Sequence, residues 1–72
     1  MSILRVTGTQ VGFVKSDFLY FVLERSTLTQ RQARTLAEDV LAGYPVEFEI
    51  IDYNDQDFSR LNELRTDFEV LR

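Results

Sequence analysis

Residues 28–50 read LTQRQARTLAEDVLAGYPVEFEI, and two elements of the fold follow from this stretch. Thr29 predicts the start of a helix, because Gln32 lies three residues later and completes a capping box. Gly43 and Pro45 predict where the helix ends. Between these signals the apolar residues recur at helical spacing and form one stripe: Ala33, Leu36, Ala37, Val40 and Leu41.

The residues after Pro45 predict a strand and then a second helix. Apolar and acidic positions alternate over residues 46–50, which is typical of a strand with one buried and one solvated face. Ile51 and Tyr53 extend this strand. Asn54 or Asp55 then caps a helix, and three apolar residues recur on one side of it: Phe58, Leu61 and Leu64.

The N-terminal part predicts strands with less specific signals. Residues 3–15 alternate around Gly8 and predict two short strands that turn at Thr7-Gly8-Thr9. Residues 18–24 predict a third, buried strand because they are rich in aromatic and branched side chains. A helix over residues 17–26 is the alternative, since Ser16 and Asp17 are good N-caps and a short apolar run fits either element. Residues 67–72 form a last edge strand or continue the second helix.

These elements predict a single compact α+β domain over residues 1–72, in the order β-β-β-α-β-α with an optional final β. The expected architecture has two layers, a small antiparallel sheet with two helices on one face. The chain contains no cysteine, so no disulfide stabilises it. The six Phe and three Tyr must therefore pack densely, or the chain must associate into a homo-oligomer.

The residue types present argue against catalysis. The sequence has no His and no Cys, which removes the commonest general base, the thiol nucleophile and the usual transition-metal ligands. We therefore predict that the chain is not an enzyme, with no catalytic residue, no cofactor and no metal. Asp52 to Glu63 has a partial calcium-loop spacing, but Asp57 stands where the sharp turn needs glycine. Capping of a helix by Asn54 or Asp55 explains the same residues.

The sequence features that relate to localisation predict a cytoplasmic protein. Residues 1–6 have no apolar signal-peptide core, and the absence of cysteine fits a reducing compartment. The longest apolar run, Phe18 to Leu23, is far shorter than the roughly 20 residues that span a bilayer. We predict no membrane contact.

The carboxylates concentrate in the second half of the chain. Residues 1–34 carry five cations and two carboxylates, whereas residues 35–72 carry three cations and ten carboxylates, for a net charge of −4. We predict a small acidic protein-binding module, a regulator, inhibitor or adaptor, whose acidic face fits a basic groove of another protein. Ordinary solubility is the alternative explanation. The predicted contact residues are Glu47, Glu49, Asp52, Asp55 and Asp57.

A second candidate site lies at the start of the first predicted helix. Arg31 and Arg34 stand there beside Thr27 and Thr29, and this set predicts an anion site for a small ligand such as a nucleotide. A solvated helix face explains the same residues. If residues 17–26 were helical, the two helices would resemble a helix-turn-helix. The negative net charge opposes contacts with a phosphate backbone, so we predict no direct nucleic-acid binding.

Overall fold

Strand β1 (Ser2–Thr9) lies in the centre of a three-stranded sheet in this computed structural model, which describes residues 2–71. Strands β2 (Val46–Ile50) and β3 (Thr66–Leu71) pair with β1 on opposite sides, both antiparallel, so the strand order is β2-β1-β3. Three helices connect the strands: α1 (Lys15–Arg25), α2 (Gln30–Leu41) and α3 (Asp55–Glu63). The element order is therefore β-α-α-β-α-β.

The three helices cover one face of the sheet and leave the other face open. Alternate residues of the central strand, Leu4 and Val6, are buried together with Phe48 and Ile50 of β2. These side chains form one core with buried residues of all three helices: Phe18, Phe21, Val22, Ala33, Ala37, Val40 and Leu61. The predicted two-layer α+β class with an antiparallel sheet is confirmed, although three helices and not two form the second layer. None of the helices in residues 2–71 is both long and apolar enough to span a membrane.

Residues 18–24 belong to helix α1, so the prediction of a strand there was wrong and the helical alternative was right. A strand would place Phe18 and Tyr20 on the same side. Instead Phe18 is fully buried with Phe21 and Val22, at helical spacing, while Tyr20 is 66% exposed. Burial of this stripe in the shared core, against α2 and the Phe48 ring of β2, therefore outweighs the strand preference of the aromatic and branched residues.

The predicted N-terminal hairpin does not form either, because the chain continues straight through Gly8. The pairing of β1 with β3 shifts in register between Val6 and Gly8, so the glycine marks a bulge and not a hairpin turn. Residues 10–14, predicted as part of a second strand, instead form the connection to α1. Gly12 makes the reversal there with a φ of 100°, a conformation that side-chain-bearing residues rarely adopt.

The local signals in the second half of the chain are confirmed. Thr29 and Gln32 form the expected capping box at α2, and Asn54 forms another with Asp57 at α3. The strand predicted over residues 46–53 ends earlier, at Ile50, where the chain turns into α3. Residues 67–71 lie in the last strand, as one of the two predictions had it, and residue 72 lies outside the described residues.

Candidate functional site

The side of the sheet that no helix covers carries Glu47 and Glu49, two of the candidate contact residues. Cross-strand partners share a face, so the pairing register defines its members. Arg5 of the central strand lies opposite Glu47 on one side and Glu69 on the other. Ile3 lies opposite Glu49 and Leu71. We call this surface the open sheet face: Ile3, Arg5, Glu47, Glu49, Glu69 and Leu71.

Arg5 links the three strands across the open sheet face through two loose ion pairs. Its Nε lies 3.6 Å from Glu47 Oε2, and its Nη1 lies 3.6 Å from Glu69 Oε1. Both separations exceed an ordinary hydrogen-bond distance, and Nε makes no hydrogen bond within the described part of the chain. The guanidinium therefore offsets only part of the negative charge around it, and the face keeps an excess of carboxylates.

The structure places Glu47 and Glu49 together on this face, as the alternation of the strand predicts. Both side chains are exposed, and Glu49 makes no ion pair within residues 2–71. Sequence reasoning missed Arg5 as a member of this surface, and it counted Glu69 among the acidic residues without selecting it as a contact. The alternation of Phe68 and Val70 could have placed Glu69 outward, but its position beside Arg5 depends on a pairing between the two ends of the chain.

Asp52, Asp55 and Asp57 all follow the end of β2, and none of them belongs to the open sheet face. Asp52 follows the end of β2 and Asp55 begins α3, and both are exposed. Asp57 is only 2% exposed, in contrast to its prediction as a partner contact. Asp57 lies three residues after Asn54, and its carboxylate accepts a hydrogen bond from the Asn54 N–H in the capping box. This hydrogen bond directs the side chain toward the protein interior.

Arg25 at the end of α1 holds the buried carboxylate and the loop before α3. Its Nε donates to Asp57 Oδ1 at 2.8 Å, and its Nη2 donates to Asp57 Oδ2 at 3.1 Å. The same Nη2 donates to the carbonyl oxygens of Ile51 (2.7 Å) and Asp52 (3.2 Å). The hydrogen bonds to Asp57 raise the pKa of Arg25 above its ordinary value. We call this network the Arg25 clamp, and it fixes the end of β2 relative to α1.

Tyr53 belongs to the same loop between β2 and α3 and packs against the core. Its partial burial raises the pKa of its phenol. The negative charges of Asp57 and then Asp55 add to the effect. Within residues 2–71, however, no group of three or more carboxylates is arranged to hold a metal ion.

The predicted anion site is only partly assembled. The Thr29 hydroxyl accepts a hydrogen bond from the Gln32 N–H at 3.2 Å, so it already serves as the cap of α2. Arg31 and Arg34 are exposed, and neither makes an ion pair within residues 2–71. A shallow depression of about 350 Å³ beside α2 is lined by Arg31, whereas Thr27, Thr29 and Arg34 do not line it. The two guanidinium groups are thus available, without a cavity that joins all four residues.

Helices α1 and α2 follow one another with residues 26–29 between them, so two consecutive helices are present as the helix-turn-helix alternative requires. The charges of this pair do not favour DNA. Arg25 is engaged with Asp57, and Lys15 Nζ lies 3.9 Å from Glu38 Oε1. Arg31 and Arg34 are then the two cations of these helices that remain unpaired in residues 2–71. Two cations are few for binding a phosphate backbone. The absence of direct nucleic-acid binding stays a prediction.

Comparison of the chain with protein-family models, with curated proteins and with solved structures found no match.

Proposed function

We propose that this chain is a non-enzymatic protein-binding module, a regulator, inhibitor or adaptor, whose open sheet face binds a basic surface of a partner protein. One observation carries the proposal: the uncovered face holds three glutamates and a single arginine, with Glu47 and Glu69 beside Arg5 and Glu49 opposite Ile3. A surface of one sign attracts a partner of the opposite sign and speeds their encounter. The lack of cysteine supports a cytoplasmic setting for this binding.

Apolar side chains on the same face form a patch that a partner can bury on binding. Ile3 is 39% exposed, and its cross-strand neighbour Leu71 is half-buried. Protein interfaces commonly combine an apolar centre with a polar rim. Glu49 lies directly opposite Ile3 and borders this apolar pair. A partner with an apolar residue surrounded by lysine or arginine fits this arrangement.

Neutralising two of the glutamates is the direct test. The partner is first captured from lysate and identified by mass spectrometry, and its association rate with the purified chain is then measured. We expect Glu47→Gln/Glu49→Gln to slow association by about threefold to tenfold at low salt, because steering depends on charge. Since salt screens the attraction, the difference from the unmodified chain should shrink at roughly 500 mM salt.

Asp17→Asn/Glu63→Gln provides the matched control, with the same change of charge on exposed residues of the helical layer. This control should change the association rate by less than about twofold, because the removed charges lie away from the contact. Equal slowing by both double variants would show that net charge acts without a specific face. An unchanged rate in the open-face variant at low salt would refute the proposal.

A second candidate function is the binding of a small anionic ligand by α2. The observation in its favour is that Arg31 and Arg34 are exposed and make no ion pair within residues 2–71. Inorganic phosphate and a nucleotide panel should then raise the melting temperature by mass action, and Arg31→Gln/Arg34→Gln should abolish the rise. A melting temperature unaffected by every ligand would exclude this candidate.

Self-association is a further part of the proposal. Strands β2 and β3 are both edge strands within the described sheet, and free edges can pair with a second copy of the chain. Light scattering decides the matter, since a mass near the 8.4 kDa of one chain would exclude a homo-oligomer.

A further inference from the structure

Strand β3 borders a cleft that adjoins the open sheet face. The cleft is shallow and open to solvent, with a volume of about 430 Å³. Glu69 belongs both to this cleft and to the open sheet face, so the two surfaces are continuous. Its lining includes residues of α3, of β3 and of the loop after β1: Gln10, Phe58, Asn62, Asp67, Phe68 and Glu69.

Two aromatic rings form the apolar part of the cleft. Phe58 of α3 is 53% exposed, which is a large apolar surface to leave in water. Its ring packs edge to face against the half-buried Phe68, with centroids 5.6 Å apart and an interplanar angle of 71°. The Phe58 ring is therefore held in place, with part of it exposed to a ligand in the cleft.

The polar part of the lining presents hydrogen-bond acceptors. Gln10 Nε2 donates to Asp67 Oδ1 at 2.8 Å, which fixes this carboxylate in the lining of the cleft. Asn62 Nδ2 donates to the Phe58 carbonyl oxygen at 3.1 Å, so the carbonyl oxygen of its own side chain remains as an acceptor. Glu69 adds a second carboxylate, and no lysine or arginine lines the cleft. A ligand that fits must carry positive charge and several donors.

We propose that this cleft binds an arginine side chain of the partner, carried on an extended segment that pairs with the free edge of β3. A guanidinium offers five donors, pairs with carboxylates and stacks on aromatic rings, which matches the acceptors and the Phe58 ring. Within residues 2–71, β3 pairs only with β1, so its other edge has backbone groups available for an added strand. The inference rests on the proposed function and names the chemistry of the partner.

A peptide titration tests the cleft without the natural partner. The probe is a blocked pentapeptide with a central arginine between valine and threonine residues, and its control carries citrulline, which has the same shape without the charge. Titration of the ¹⁵N-labelled full chain should shift the amide signals of residues 58, 62 and 66–69 in a saturable way. The citrulline peptide should bind about fivefold more weakly or worse, because it loses the charge-assisted hydrogen bonds.

Variants of the lining complete the test. Phe58→Ala and Asp67→Asn should each weaken binding of the arginine peptide by about fivefold or more, by removing the ring or the carboxylate. Ser59→Ala and Glu63→Gln change neighbours of Phe58 on α3 that do not line the cleft, and both should bind like the unmodified chain. Equal binding of the two peptides, or shifts confined to residues outside the cleft, would overturn the inference.

The results separate the cleft from the open sheet face. Loss of peptide binding in Phe58→Ala, with an unchanged partner association rate in Glu47→Gln/Glu49→Gln, would support the cleft and refute the proposed function. The reverse result, with a slowed partner and unaffected peptide binding in Phe58→Ala and Asp67→Asn, would keep the proposed function and overturn the cleft. The amide spectrum of each variant checks that the fold is retained.

Discussion

Phe18→Ala is expected to leave the domain largely unfolded in water. Phe18 is fully buried in α1, and its ring packs 5.7 Å from the ring of Phe13 and 6.3 Å from that of Phe48, measured between centroids. Truncating a buried phenylalanine costs about 3–5 kcal/mol, through lost burial and the cavity left behind. A single core in a chain this short supplies a net stability of about 3–5 kcal/mol. The substitution therefore removes nearly all of the free energy of unfolding.

Urea unfolding followed by far-UV circular dichroism measures the effect, and Tyr20→Ala is the matched control. Tyr20 lies two residues away and is 66% exposed, so its truncation should cost less than about 1 kcal/mol. The contrast also tests the helical assignment of α1, because a strand would bury both rings on one side. Similar costs for the two substitutions would contradict the packing described for this helix.

Asp57→Ala is expected to lower the melting temperature by about 10–20 °C, the change that about 2–3 kcal/mol produces in a domain of this size. The substitution removes the carboxylate that accepts two hydrogen bonds from Arg25 and one from the backbone N–H of Asn54. The ion pair of the Arg25 clamp and the Asp57 half of the capping box of α3 are therefore lost together. Breaking a shielded ion pair costs more than an exposed one, since the remaining charge has no equivalent partner.

Asp55→Ala is the control for Asp57→Ala, since Asp55 is an exposed carboxylate in the same turn of α3. Its loss removes only a favourable interaction with the helix dipole, about 0.3–1 kcal/mol. Differential scanning calorimetry of the two variants at neutral pH compares them directly. Equal decreases in melting temperature would mean that the Arg25 clamp adds nothing to stability beyond a surface charge.

The elements that could be predicted from the sequence are those that local chemistry determines. Thr29 and Gln32 define the start of α2, and the alternation after Pro45 defines β2. Helix α1 has no such signal, because its N-cap residue, Val14, makes no side-chain cap and Ser16 and Asp17 fall inside the first turn. Its apolar run fits a strand or a helix equally, and the burial of Phe18, Phe21 and Val22 in the shared core decides between them.

In the candidate site, too, the residues that a local sequence pattern places could be predicted, whereas those placed by long-range contacts could not. Glu47 and Glu49 share a face because strands alternate, so the sequence alone places them together. Glu69 reaches the same surface through pairing between β1 and β3, which no local pattern defines. Asp57 was predicted both as a helix residue and as a partner contact. Its spacing from Asn54 supports the first role, and the ion pair with Arg25, 32 positions earlier, excludes the second.

Cross-saturation transfer in the complex with the captured partner tests most directly whether the open sheet face is the contact surface. The partner is irradiated, and intensity losses are measured at the amides of the deuterated, ¹⁵N-labelled chain. We expect the largest losses at residues 3–5, 47–49 and 69. Losses confined to the exposed sides of α1 and α2, with no effect on β1 and β2, would contradict the account.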